Sequence, residues 1–208
     1  MPTPERRIAV KRKAELQSGD LFILRGIGQP YYYYSFDVPN KPLHETAHAL
    51  MTEGRNAISE PQDQMSRDNL HITLWYKTTP GPDKEYEAKL AKRTPTKVTV
   101  TYVYGDGKST AVAAVSLRTY EKSMHKSWYL PHISLYKDQS KEWNDLGKIV
   151  QQGENVTDWI ATSVNTWASA STGLSKKALF WQIQVQEGIH LHVFPPNKRW
   201  EQKQRKIC

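Results

Sequence analysis

The stretch "LHITLWYK", Leu70 to Lys77, decides the fold because the chain writes it twice: "PHISLYK" follows at Pro131 to Lys137. Each copy reads His, aliphatic, Thr or Ser, Leu, then an aromatic and a lysine. In a β-strand, residues i and i+2 point to one face and their neighbours to the other. That period puts His71 and Thr73 on one face and Leu70, Ile72 and Leu74 on the opposite one. It does the same for His132 and Ser134 against Ile133 and Leu135. The aliphatic face packs against helices and leaves the His-hydroxyl face for a cleft. A histidine and a hydroxyl two residues apart, roughly 7 Å along the strand, both reach one phosphate. The same parity continues the faces to Trp75 and Lys77 in the first copy and to Tyr136 in the second, placing an aromatic at the same point of each half.

Around these strands the pattern is mixed. A proline follows Thr3, and Thr3-Pro4-Glu5 reads as the start of a short basic helix to about Leu16. "DLFILRG" and "YYYYSFDV" read as strands and "PLHETAHALMTEGRNAI" as a helix. "PGPDKEYEAKLAKR" is a turn followed by a helix. "TKVTVTYVY" and "STAVAAVSL" form a hairpin turned by Gly105-Asp106-Gly107. "SKEWNDLGKIVQQG" is a helix ending at Gly153, and Thr157–Trp167 is assigned to a further helix. "ALFWQIQV" and "GIHLHVF" close the chain as a hairpin before a basic tail. Strands and helices interleaved with hairpins predict an α+β fold with antiparallel sheets, and the repeated strand predicts two related lobes. The expected organisation is a basic arm (1–18), a bilobal domain (19–195) and a basic tail (196–208).

Composition narrows the class. The 208 residues carry 7 Trp and 11 Tyr, which disordered chains lack. A net charge of +8 favours anionic partners such as nucleotides or RNA. The single cysteine, Cys208, precludes a disulfide within the chain and points to a reducing compartment. No stretch reaches the roughly 20 apolar residues of a membrane span. The reading is a soluble cytoplasmic protein, expected to be a monomer, with no membrane partner.

The two motifs resemble the signature of the 2H phosphoesterases, the LigT-like or cyclic phosphodiesterase superfamily: two copies of His-x-Ser/Thr, each flanked by hydrophobic residues. The resemblance spans roughly Leu21 to Phe194, its specific part being "HIT" and "HIS". It implies two pseudo-symmetric lobes of antiparallel sheet with outer helices around a concave central cleft. It implies His71 and His132 as catalytic acid and base, Thr73 and Ser134 as phosphate ligands, and neither metal nor cofactor. Trp75, Tyr136 and Lys77 are the candidates for base and substrate contacts. Members of this kind act on 2′,3′-cyclic phosphates, 2′-5′ oligoadenylates or RNA ends, and the chain resembles stand-alone viral or retroelement-type members that remove immune nucleotides, which would place it in the host cytosol. Two aromatics beside a phosphate site suit a two-base ligand, so the expected substrate is 2′3′-cGAMP, ahead of 2′-5′ oligoadenylate and 2′,3′-cyclic RNA ends. The basic termini leave RNA contact open, and a non-catalytic RNA-binding module is the alternative of a different class.

The remaining candidates are weaker. In Tyr31–Tyr34 one pair faces the core and the other the cleft, without indication of which. His190 and His192 share a strand face but lack acidic or sulfur ligands nearby for a metal. His44 and His48 lack the glutamate of a zinc protease helix, and His125 has no context.

Overall fold

The computed structural model describes residues 30–39, 45–60, 64–65, 70–77, 79 and 81–193. The expected N-terminal helix, the strand "DLFILRG", His44 and the basic tail lie outside these residues. Tyr31–His192 forms one compact unit; the other, Met1–Pro30 with Val193–Cys208, consists almost wholly of residues outside the described set.

In chain order the elements are β1 (Pro30–Asp37), α1 (Glu45–Asn56), β2 (Gln64–Met65), β3 (His71–Lys77), α2 (Lys84–Arg93), β4 (Lys97–Gly105), β5 (Ala111–Ser116) and α3 (Thr119–Lys122). Then come β6 (His132–Lys137), a 3-10 turn (Trp143–Asp145), α4 (Leu146–Asn155), β7 (Trp159–Ser163), β8 (Thr166–Ser169), β9 (Ser175–Gln184) and β10 (Gln186–Val193). The fold is α+β. The strands join in one ten-stranded sheet of order β10-β1-β3-β6-β5-β4-β9-β8-β7, with β2 beside β6. The pairings of β3 with β1 and β6, and of β5 with β4 and β6, are antiparallel. The two motif strands are therefore neighbours in the sheet interior. No helix among the described residues is long and apolar enough to cross a membrane.

The core forms on the aliphatic face of the motif strands. Ile72, Leu74, Ile133 and Leu135 are fully buried with Tyr34 and Phe36 of β1, under Leu50 of α1 and Leu90 of α2. Each such side chain contributes on the order of 1.5–3 kcal/mol by leaving water. Tyr34 is the fully buried member of the tyrosine run, with Tyr32 packed against the same core: its phenol accepts from the Asp83 N–H (2.8 Å) and donates to Glu87 (3.1 Å). Asp83 in turn caps α2 by accepting from the Tyr86 N–H. One phenol thus ties β1 to the start of that helix.

Three sequence expectations change. Thr157–Trp167 is not a helix but the β7–β8 hairpin. Its β-branched Ile160, Thr162, Val164 and Thr166 disfavour helix, and Asn165 takes the left-handed conformation the tight turn needs (φ 55°). The last two strands do not form a hairpin: β9 pairs with β4 and β8, whereas β10 lies beside β1. Only Val185 separates them, a span of at most about 8 Å, although six strand spacings, about 29 Å when flat, lie between them in sheet order. The sheet must curl strongly to bring those ends together. Finally, α4 runs through Gly153 to Asn155. Gly153 is a packing gap rather than a stop, since a Cβ there would sit 2.4 Å from Cε1 of the buried Tyr104 ring. Gly153→Ala is expected to lower stability by about 1–3 kcal/mol in chemical denaturation, because overpacking against a rigid ring outweighs the gain in helix propensity.

Candidate active site

The central pairing sets the site. Ile72 is the register partner of Ile133. In an antiparallel ladder the residue before one member faces the residue after the other, so His71 faces Ser134 and Thr73 faces His132. With strands about 4.8 Å apart, the four side chains occupy a rectangle of roughly 5 by 7 Å, the histidines at diagonal corners. All four are half-buried, and the isoleucines between them point into the core.

The aromatics do not follow. Against β1 the register passes from Ser35↔Thr73 to Tyr34↔Trp75 and skips Leu74. Against β5 it passes from Val112↔Ser134 to Ala111↔Tyr136 and skips Leu135. Both motif strands thus carry a bulge one residue after the hydroxyl, and a bulge turns two successive side chains toward one face. Trp75 is consequently corrected to the core side, where it stacks on Tyr34 (5.6 Å) beneath the Lys126 ammonium (3.9 Å). Tyr136 is likewise in the core, 4% exposed, its phenol donating to the Met51 carbonyl (2.9 Å). Lys77 falls on the core face too. It is buried, and its ammonium donates to the carbonyls of Gly81 (2.8 Å) and Thr79 (3.2 Å), so it is not placed beside the rectangle.

The parity change brings Tyr76 to the histidine face. Its phenol is hydrogen-bonded to Thr73, and its ring lies 5.3 Å from Tyr33. Tyr33 packs 5.6 Å from His71 and stacks on His190 at 4.3 Å and 12°. His190 Nε2 approaches both Ser35 Oγ (3.0 Å) and the Asp37 carboxylate, and Asp37 is the register partner of His71. Period-2 reading missed Tyr76 for the bulge and Asp37 and His190 for their distance along the chain. The side chain of His192 lies outside the described residues. Among the described residues no group of three or more His, Cys, Asp and Glu side chains is arranged to hold a metal ion.

The two histidines sit in unlike surroundings. His132 Nδ1 lies 2.7 Å from the Leu130 carbonyl. A carbonyl only accepts, so Nδ1 carries the proton and the neutral ring keeps its lone pair on Nε2. Helix α4 crosses close by at Gly147, where a Cβ would be 2.8 Å from His132 Cε1 and 2.6 Å from the Tyr129 Cβ. Burial is the main force holding the His132 pKa below its ordinary value; the Leu130 hydrogen bond opposes this, and the charge of His71 adds to it. His125, which the sequence left without context, stands near enough to feel His132: burial first, then that neighbour, pushes it down to about 4.

No family model matches the chain, and no curated protein matches it.

The buried histidines give a pH signature. Above pH 6.5 the folded and unfolded chains both hold His125 neutral. Between about 6.5 and 4 only the unfolded chain takes up the proton, so stability falls as the pH drops through that window. Denaturation midpoints measured across it are expected to decline, and His125→Asn to flatten the decline. An unchanged slope in the variant would place the acid sensitivity elsewhere.

Proposed function

We propose that this chain is a metal-independent phosphodiesterase of the 2H type, cleaving a phosphodiester that has a ribose hydroxyl beside it. One observation carries the reading: the Ile72↔Ile133 pairing sets two histidines and two hydroxyls around a space of phosphate size, with an Nε2 lone pair on His132. His132 Nε2 takes the proton from the attacking hydroxyl, of the ribose or of water, as its oxygen bonds to phosphorus. The opposite P–O bond breaks and its oxygen leaves with a proton from His71. Thr73 and Ser134 donate to the non-bridging oxygens, where negative charge grows. In this proposal β3 and β6 are the equivalent strands of two related halves, and the substrate lies in a cleft between them.

The substrate class is a small nucleotide with a 2′-5′ linkage, 2′3′-cGAMP or 2′-5′ oligoadenylate, and the role is removal of an immune messenger. The argument from paired aromatics no longer selects between them, because Tyr136 is buried in the core and Trp75 packs against that core. Tyr33 and Tyr76, both on one side of His71, take over base stacking.

Incubated with EDTA and a panel of 2′-5′- and 3′-5′-linked nucleotides, the protein is expected to cut the 2′-5′ linkage. His71→Ala and His132→Ala should each lower kcat/KM by about 10²–10⁴-fold, and Thr73→Val by about 10²-fold, with folding retained. A wild-type rate in either histidine variant, or cleavage that stops in EDTA and returns with added metal, would sink the reading.

A further inference from the structure

The two-histidine reaction leaves unused a polar cluster on the far side of His71. Ser35 Oγ donates to Asp37 Oδ1 (2.5 Å). His190 Nε2 lies 3.0 Å from Ser35 Oγ, and 3.1 and 3.0 Å from the two Asp37 oxygens. A carboxylate only accepts, so His190 Nε2 carries its hydrogen. The group is shielded from water: Ser35 is fully buried, and the side chains of Asp37 and His190 are 13% and 22% exposed. Gly188 of β10 makes this approach feasible, for a Cβ there would stand 2.3 Å from Ser35 Oγ and 2.4 Å from Asp37 Oδ1. Tyr33 stacks on His190 and packs beside His71, which fixes the plane of the His190 imidazole.

A carboxylate withdrawn from water is destabilising unless cations and donors compensate it. Ser35 and His190 supply the donors. The third neighbour is His71, directly across the β1–β3 ladder, where opposed side chains have Cβ atoms about 4.5–5.5 Å apart. From the other elements, Tyr33 and His190 pack against His71, Ser134 faces it from β6, and His132 stands diagonally across. Among these described neighbours Asp37 is the anion. Burial pulls the Asp37 pKa upward, but hydrogen bonds from His190 and Ser35, with the charges of His190 and His71, outweigh it and leave it below the ordinary value.

We propose that Asp37, anchored by Ser35 and His190, is the positioning residue that holds His71 in its cationic form, so that His71 is the acid and His132 the base. The acid/base role rests on the phosphodiesterase reading above; the charge coupling does not. Asp37 touches no reacting atom and acts through the imidazole, as the third member of a catalytic triad does.

The test is a histidine-resolved NMR titration of the full chain, which needs no turnover. In the wild type His132 is expected to lose its proton at lower pH than His71. Asp37→Asn should lower the pH at which His71 deprotonates by about one unit and leave His132 in place. Gly188→Ala keeps the charge but displaces the carboxylate, and should move His71 the same way by less; it decides the matter if Asp37→Asn does not fold. A His71 titration that stays put, or one that moves equally with His132, overturns the proposal. The pH profile of kcat/KM on a 2′-5′-linked dinucleotide then reads the role: the alkaline limb should fall with Asp37→Asn by the shift seen in the titration. If the titration moves and no nucleotide is cut, the phosphodiesterase reading fails while the coupling stands. If nucleotides are cut and the titration is unmoved, the reverse holds.

Discussion

Everything in this site depends on one cross-strand contact, Ile72 against Ile133. Both side chains are fully buried, and they leave no choice of register. A slip of one residue would drive His71 and Thr73 into the core and expose the isoleucines. The hydrophobic demand of one face therefore positions the polar chemistry of the other. The small residue of β5 that opposes His132, Ala114, lies under α4 and lets that helix pack over the sheet on the histidine side. Leu146 and Val150 of that helix pack with Val112, Ala114 and Tyr104, so the site is bounded beside His132 and flanked by β1 and β10 beside His71.

The part of this legible in the sequence was the part governed by period. Alternation placed His71, Thr73, His132 and Ser134, and turn chemistry placed the β4–β5 hairpin and the start of α2. Alternation failed at Leu74 and Leu135, because a bulge depends on how a strand meets its neighbour and leaves no mark in the strand's own pattern. The two bulges fall at the same point of each motif. Each turns the aromatic that follows into the core: Trp75 onto Tyr34 and Tyr86, Tyr136 under α1. The likeness of "LWYK" to "LYK" was therefore informative, but about packing rather than about the ligand.

Long-range proximity was the second thing hidden. Asp37 and His190 are held together by strands from opposite ends of the described chain. Only the sheet order, with β10 returning to the edge of β1, brings them beside His71. Gly188 was a usable sign: a glycine within a run of strand residues often marks close approach of other groups, and here those groups are a serine and a carboxylate. His125 was hidden for a different reason. It lies in the loop before β6, and that loop's path alone brings it near His132.

A repeated motif does not imply repeated chemistry. The same His-x-hydroxyl triplet stands in two environments that pull its histidines apart. At His132, burial beneath α4 and the charge of His71 favour a neutral ring and outweigh the Leu130 hydrogen bond, which fixes the proton on Nδ1. At His71, the cross-strand carboxylate of Asp37 favours a cation. Two identical histidines a few ångströms apart would repel when both are charged and offer no acid when both are neutral. The proposed reaction needs an acid and a base at one pH, and divergent surroundings are the physical means of splitting them. That division is carried by residues outside the motif, Asp37, Gly147 and Gly188 among them, and the motif itself supplies only the symmetry they break.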